Sequence, residues 1–205
     1  MRGLDVTDPR PVDAVVIGCS AGGLNALRVV LGGLPPGLSA TVIVVAHSAP
    51  DGPNLLPNLL AACCPLPVTE ALEGALALPA HVYVAPANYH LLIESDQRFS
   101  LSVDARVCYV RPAIDVLFEA AADVYQERLL GIVLTGANSD GAQGLRAIKA
   151  SGGQTLVQDP ETAYAPAMPL AAIEAGAADW VLPLEAIAAA VLAHCPANAA
   201  TRFPL

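Results

Sequence analysis

Three polar residues follow apolar, β-branched runs, two of them directly and one within the loop beyond. Ser20 follows AVVIGC at residues 14–19, His47 follows TVIVVA at 41–46, and Asp140 lies in the loop TGANSDG that follows LLGIVL at 129–134. A hydroxyl, an imidazole and a carboxylate are the groups needed for a nucleophile, a general base and the anion that orients the base, so the set points to acyl transfer. Their chain order, Ser then His then Asp, differs from the Ser–Asp–His order of α/β-hydrolases, which implies another fold. Cys19 is a rival nucleophile, but a residue just before the apex of the turn is expected to point into the core. The other histidines are poorer bases: His81 begins a strand, His90 lies in an apparent turn, and His194 belongs to the terminal helix. Structural readings stay open for each member of the trio. Ser20 could cap a helix, His47 could bond to backbone at a strand end, and Asp140 could cap the helix that begins near Gly141.

The elements that must position these residues are legible as periodicity. Continuous β-branched runs of four to six residues are typical of parallel strands buried on both faces. Such runs occupy residues 14–17, 41–46, 129–134 and 154–158, with shorter strand-like runs at 68–71, 82–85, 91–94, 99–103 and 180–182. Helical spacing is expected over 24–31, 54–63, 113–124, 142–151, 169–175 and 184–195, with Pro112 in the first turn of the third helix. Strands alternating with helices predict an α/β fold, a doubly wound and mostly parallel sheet flanked by helices. Turn residues around Asn88 and at 95–98 suggest an antiparallel hairpin added at one sheet edge. In an open parallel sheet the crevice lies beyond the carboxyl ends of the strands, where Ser20, His47 and Asp140 all fall.

The strand–glycine–helix start at residues 14–31 is also the shape of a phosphate cradle. Against that reading, Gly18-Cys19-Ser20-Ala21-Gly22-Gly23 lacks the middle glycine of the dinucleotide fingerprint, and the second strand ends in Ala46-His47, not the ribose-binding acid. The 205 residues, 55% of them hydrophobic, suffice for one well-buried domain. With 10 Lys+Arg against 19 Asp+Glu and a formal charge of −9, nucleic acid and anionic membrane surfaces are disfavoured partners. Five cysteines without metal spacing argue against a zinc site or a disulfide framework and fit a reducing compartment. No apolar run reaches the roughly 18 residues of a membrane span, so a cytoplasmic location is expected. Residues 1–11 are expected to be a disordered lead-in, 12–195 the folded domain and 196–205 a flexible tail.

Several blocks go beyond general patterning. IGCSAGG at 17–23, AHSAP at 46–50, APANYH at 85–90, RPAIDVLF at 111–118, LTGANSDGAQG at 134–144 and AMP at 167–169 occur in the order and spacing of one family. The chain resembles the catalytic domain of the bacterial chemotaxis receptor methylesterases, the CheB-type protein-glutamate methylesterases and glutaminases. The resemblance implies hydrolysis of glutamate γ-methyl esters on the cytoplasmic helices of chemoreceptors, with release of methanol and a second, deamidating activity on receptor glutamines. It implies Ser20 as nucleophile, His47 as general base and then acid, Asp140 as the orienting carboxylate, and no metal or organic cofactor. Backbone N–H groups at the helix start by Ala21 and in the loop Gly136–Ala137–Asn138 are expected to hold the oxyanion, and Arg111 either lines the receptor groove or anchors a helix start by a salt bridge.

The chain departs from the family pattern at Ala21, where Thr is usual, and at Ala137 and Asn138, which replace Met and Gly. Asn138 suits a left-handed backbone position if one is needed there. Only about ten residues precede the first strand, so no phosphorylatable receiver domain is expected within this sequence, whether it is a stand-alone esterase or part of a longer protein. Two other readings share the fold: an esterase for a different substrate, and a weakly active binding module of a chemosensory array.

Overall fold

In a computed structural model, residues 10–47 and 54–195 are described. The expected lead-in up to residue 9, the loop at 48–53 and the tail at 196–205 lie outside the described residues. The strands are β1 (Ala14–Cys19), β2 (Thr41–Ala46), β3 (Val68–Glu70), β4 (Val82–Val84), β5 (His90–Ile93), β6 (Phe99–Ser102), β7 (Leu129–Val133), β8 (Gln154–Gln158) and β9 (Trp180–Leu182), and helices separate them except between β3 and β6. The helices are α1 (Gly23–Gly32), α2 (Leu56–Ala61), α3 (Ile114–Tyr125), α4 (Ala142–Ala150), α5 (Ala167–Glu174) and α6 (Leu184–His194). Seven strands form one sheet in the order β3-β4-β2-β1-β7-β8-β9, and every pairing in it is parallel.

The lack of alternation in the strand sequences has a direct cause: both faces of the sheet are covered. Val15, Ile17 and Cys19 of β1 pack with Leu27, Val30 and Leu31 of α1 and with Ile187 and Val191 of α6. Their neighbours Ala14 and Val16 point the other way, toward Ile114, Leu117 and Phe118 of α3 and Leu145 and Ile148 of α4. The chain runs from β1 toward β2 on one side of the sheet and from β7 toward β9 on the other, so its direction switches between β1 and β7. Such a switch opens a crevice at the carboxyl ends of these two strands.

The antiparallel pair was expected at the sheet edge. It forms a separate two-stranded sheet, β5-β6, with no ladder to the larger sheet among the described residues. What seats it is a helix start: buried His90 accepts the backbone N–H of Ala113 on Nδ1 at 3.2 Å, and its Nε2 donates to the Ala105 carbonyl at 3.0 Å. Pro112 is not in the first turn of α3, because Ala113 is extended (φ −105°, ψ 141°) and the helix begins at Ile114. No helix among the described residues is long and apolar enough to cross a membrane.

Candidate active site

Register brings the first two residues together. Cys19 of β1 pairs with Ala46 of β2, and the His47 N–H donates to the Cys19 carbonyl at 3.1 Å, so Ser20 and His47 leave neighbouring strand ends side by side. The Ser20 N–H in turn donates to the Thr135 carbonyl at 2.9 Å, which ties the serine turn to the loop after β7. From that loop Asp140 reaches His47, with Nε2 to Oδ2 at 2.8 Å; the Asp140 side chain is fully buried and that of His47 is 9% exposed. The structure thus joins His47 to Asp140 and sets Ser20 at the end of the strand beside His47. Among the described residues the Ser20 hydroxyl has no hydrogen-bond partner. His47 Nε2 is taken up by Asp140, which leaves Nδ1 as its other ring nitrogen.

Asp140 does not cap its own helix. Its Oδ2 accepts the N–H of Ile114 at 2.7 Å and its Oδ1 that of Asp115 at 2.9 Å, the first two free donors of α3. Asp115 returns the arrangement: its Oδ1 accepts the N–H of Gly141 at 2.9 Å and of Gly144 at 2.7 Å, at the start of α4. Each aspartate thus satisfies the orphan donors of the other's helix. Burial pushes the Asp115 carboxyl up to about 6; the N–H groups of Gly144 and Gly141 work against this, and the charges of Asp140 and Glu119 add to it. Helix α3 comes this close to α4 and to β1 because a glycine stands at each contact. A Cβ on Gly144 would lie 2.4 Å from Phe118 Cβ, and one on Gly18 would lie 2.4 Å from Ile114 Cγ2.

Around the trio the remaining expectations separate. The Gly136 N–H donates to the Ala165 carbonyl at 2.9 Å and is not free for an oxyanion, while the N–H groups of Ala21 and Gly22 find no acceptor among the described residues. Gly22, at φ 79°, takes the left-handed turn that leads into α1. Ala137 is exposed beside the site. Asn138 does not adopt a positive φ; in this loop the left-handed residue is Gly141, at φ 95°. The Asn138 amide Oδ1 accepts the Asp140 N–H at 3.2 Å, and its Nδ2 lies 3.4 Å from His47 Nδ1.

Arg111 forms no ion pair among the described residues. It donates to the Asp104 carbonyl at 2.9 Å, to the Val103 carbonyl and to Asn88 Oδ1 at 3.0 Å, so it braces the segment after β6 against the approach to α3. Cys19 is fully buried and burial pushes its thiol up to about 12, which removes it as a nucleophile. Sequence reasoning did not reach Asp115, whose only mark is an acid in a first helical turn. Nor did it reach Thr135, whose Oγ1 donates to the Ala21 carbonyl and accepts the Ala165 N–H, both at 2.8 Å.

Comparison with known proteins agrees with this fold. The family model for CheB methylesterase matches residues 15–191. A Symbiobacterium thermophilum protein named protein-glutamate methylesterase/protein-glutamine glutaminase is 40% identical over 184 residues, 90% of this chain and 51% of that one. A Pseudomonas aeruginosa protein of the same name, numbered 2, is 41% identical over 181 residues, 87% of this chain and 52% of that one. The chain thus spans about half the length of these two relatives. It spans 91% of a Leptospira interrogans protein that carries the name provisionally, at 49% identity over 176 residues and 86% of this chain. The crystal structure of the Thermotoga maritima CheB methylesterase catalytic domain superposes with a TM-score of 0.86 at 34% identity, over 88% of this chain and 97% of that one. With a parallel seven-stranded sheet, a family model that matches most of its length and these relatives, the chain belongs to the CheB methylesterase family.

Proposed function

We propose that residues 12–195 form the catalytic unit of a protein-glutamate methylesterase that hydrolyses glutamate γ-methyl esters on the cytoplasmic helices of chemoreceptors, with glutamine deamidation as a second activity. The observation that carries this reading is the 2.8 Å bond between His47 Nε2 and Asp140, formed beside Ser20 at the end of the neighbouring strand.

In this reading Asp140 accepts the Nε2 proton of His47 and leaves the Nδ1 lone pair for the Ser20 hydroxyl. Ser20 Oγ attacks the ester carbonyl carbon as its proton passes to Nδ1. The tetrahedral oxyanion sits before the N–H groups of Ala21 and Gly22 at the start of α1, which have no acceptor among the described residues. Collapse breaks the carbon–methoxy bond, and the proton on Nδ1 goes to the departing oxygen as methanol leaves. Water then repeats the sequence on the acyl-serine, giving up a proton to His47 and releasing the glutamate side chain as its acid. Throughout, the buried carboxylate of Asp140 stabilises the imidazolium without taking its proton.

The test is methanol release from radiolabelled, methylated chemoreceptor membranes by wild type and Ser20→Ala in parallel. Wild type is expected to release methanol and Ser20→Ala to lose at least about a thousandfold in rate. A folded wild type that captures the receptor fragment without turning it over would replace this reading with that of a binding module. Turnover of a simple ester alone would mark a different substrate.

A further inference from the structure

The exchange of helix caps between Asp115 and Asp140 places a second buried carboxylate behind the imidazole, and nothing in the hydrolytic cycle above uses it. Asp140 is fixed from three directions: by His47, by the N–H groups of Ile114 and Asp115 that it accepts, and by the backbone that follows it. Asp115 controls two of these. Its own N–H is one of the donors to Asp140, and its Oδ1 holds Gly141 and Gly144, the residues that set where the Asp140 loop enters α4. We propose that Asp115 is a positioning residue for the esterase reaction read above: it holds the Asp140 loop through two backbone N–H groups and presents a second carboxylate charge behind His47.

The groups facing Asp115 are few. Asp140 comes from the start of α4, the Cys108 thiol from the segment before α3, and Glu119 from the next turn of α3. One ligand atom from each of Asp115, Asp140 and Cys108 lies within 4.8 Å of the others. Burial raises the Cys108 thiol, and Asp140 and Asp115 raise it further, so at neutral pH it adds no charge. His47 stands beyond Asp140 as the one group of opposite sign that proton transfer creates. Below the ionisation of Asp115, a single carboxylate supports the imidazolium. Above it there are two, and the imidazolium formed as Ser20 gives up its proton is stabilised further. The raised ionisation of Asp115, about 6, puts the change between these states near neutrality. The rate therefore gains a step as pH rises through this value.

The variant that separates charge from shape is Asp115→Asn, whose amide oxygen can still accept from Gly141 and Gly144. Two readouts are followed across pH 4.5–8.5: hydrolysis of a small neutral ester and of methylated receptor membranes, and the downfield proton resonance of the His47–Asp140 hydrogen bond. Asp115→Asn is expected to keep the fold and to lower kcat about tenfold with little change in KM. Its profile should lose the step near pH 6, and the resonance, which moves through that step in wild type, should become stationary. Asp115→Ala, which also removes the cap, is expected to lose the resonance. Wild-type kcat and an unchanged profile in Asp115→Asn would overturn the proposal, as would a resonance that ignores the step in wild type. A wild type without esterase activity whose resonance still follows Asp115 would overturn the esterase reading while upholding the link between the two aspartates.

Discussion

Asn138 holds two partners at once, and one of them is the nitrogen that would take the Ser20 proton in the proposed reaction. Its Nδ2 lies 3.4 Å from His47 Nδ1, a long contact in the place where the Ser20 proton must arrive, and its Oδ1 holds the Asp140 N–H. In the proposed reaction the amide would compete with Ser20 for the base while it braces the loop. Backbone geometry does not require a glycine here, since φ at 138 is not positive, so the side chain can be removed without forcing the chain into a new conformation. Asn138→Gly is expected to raise kcat on a small neutral ester by about threefold to tenfold and to cost about 1 kcal/mol of stability for the lost side-chain bond. Steady-state kinetics beside a denaturant titration reads both. A fall in kcat would instead make the amide an aid to ring orientation.

At the scale of elements, the site depends on how closely α3 approaches β1. Gly18 sits in the strand that delivers Ser20, and Ile114 begins the helix whose first N–H groups hold Asp140, so one contact links two members of the trio. A methyl group at Gly18 would stand 2.4 Å from Ile114 Cγ2 and would push the helix start away from Asp140. Gly18→Ala is expected to cost about 1–3 kcal/mol of stability, as overpacking does, and to lower kcat more than tenfold. Adding Ile114→Ala should return part of both, and the double-mutant cycle measures how much. This dependence explains what the sequence showed and what it withheld. Strands buried on both faces announce themselves as unbroken β-branched runs, and their bounds were legible to within about two residues; so was the position of three polar residues at strand ends. The seat of the β5-β6 pair was not, because His90 takes its partner at Ala113, 23 residues away. The use of the Gly136 N–H by Ala165 and the role of Asp115 were hidden for the same reason: each is a bond between segments distant in the chain, and periodicity records only neighbours.

At the scale of the molecule, the crossed caps tie together segments that fold from different parts of the chain. The start of α3 leans on a residue that enters only after β7 is in place, and the start of α4 leans on a residue of α3. Neither helix can fray at its first turn without releasing a buried carboxylate of the other. Amide hydrogen exchange should make this visible. Helix first turns ordinarily exchange through small local openings, but the N–H groups of Ile114, Asp115, Gly141 and Gly144 are expected to share one opening free energy, close to that of the central strands. In Asp115→Ala all four should become fast together. Protection lost only at Gly141 and Gly144 would show two independent helix ends.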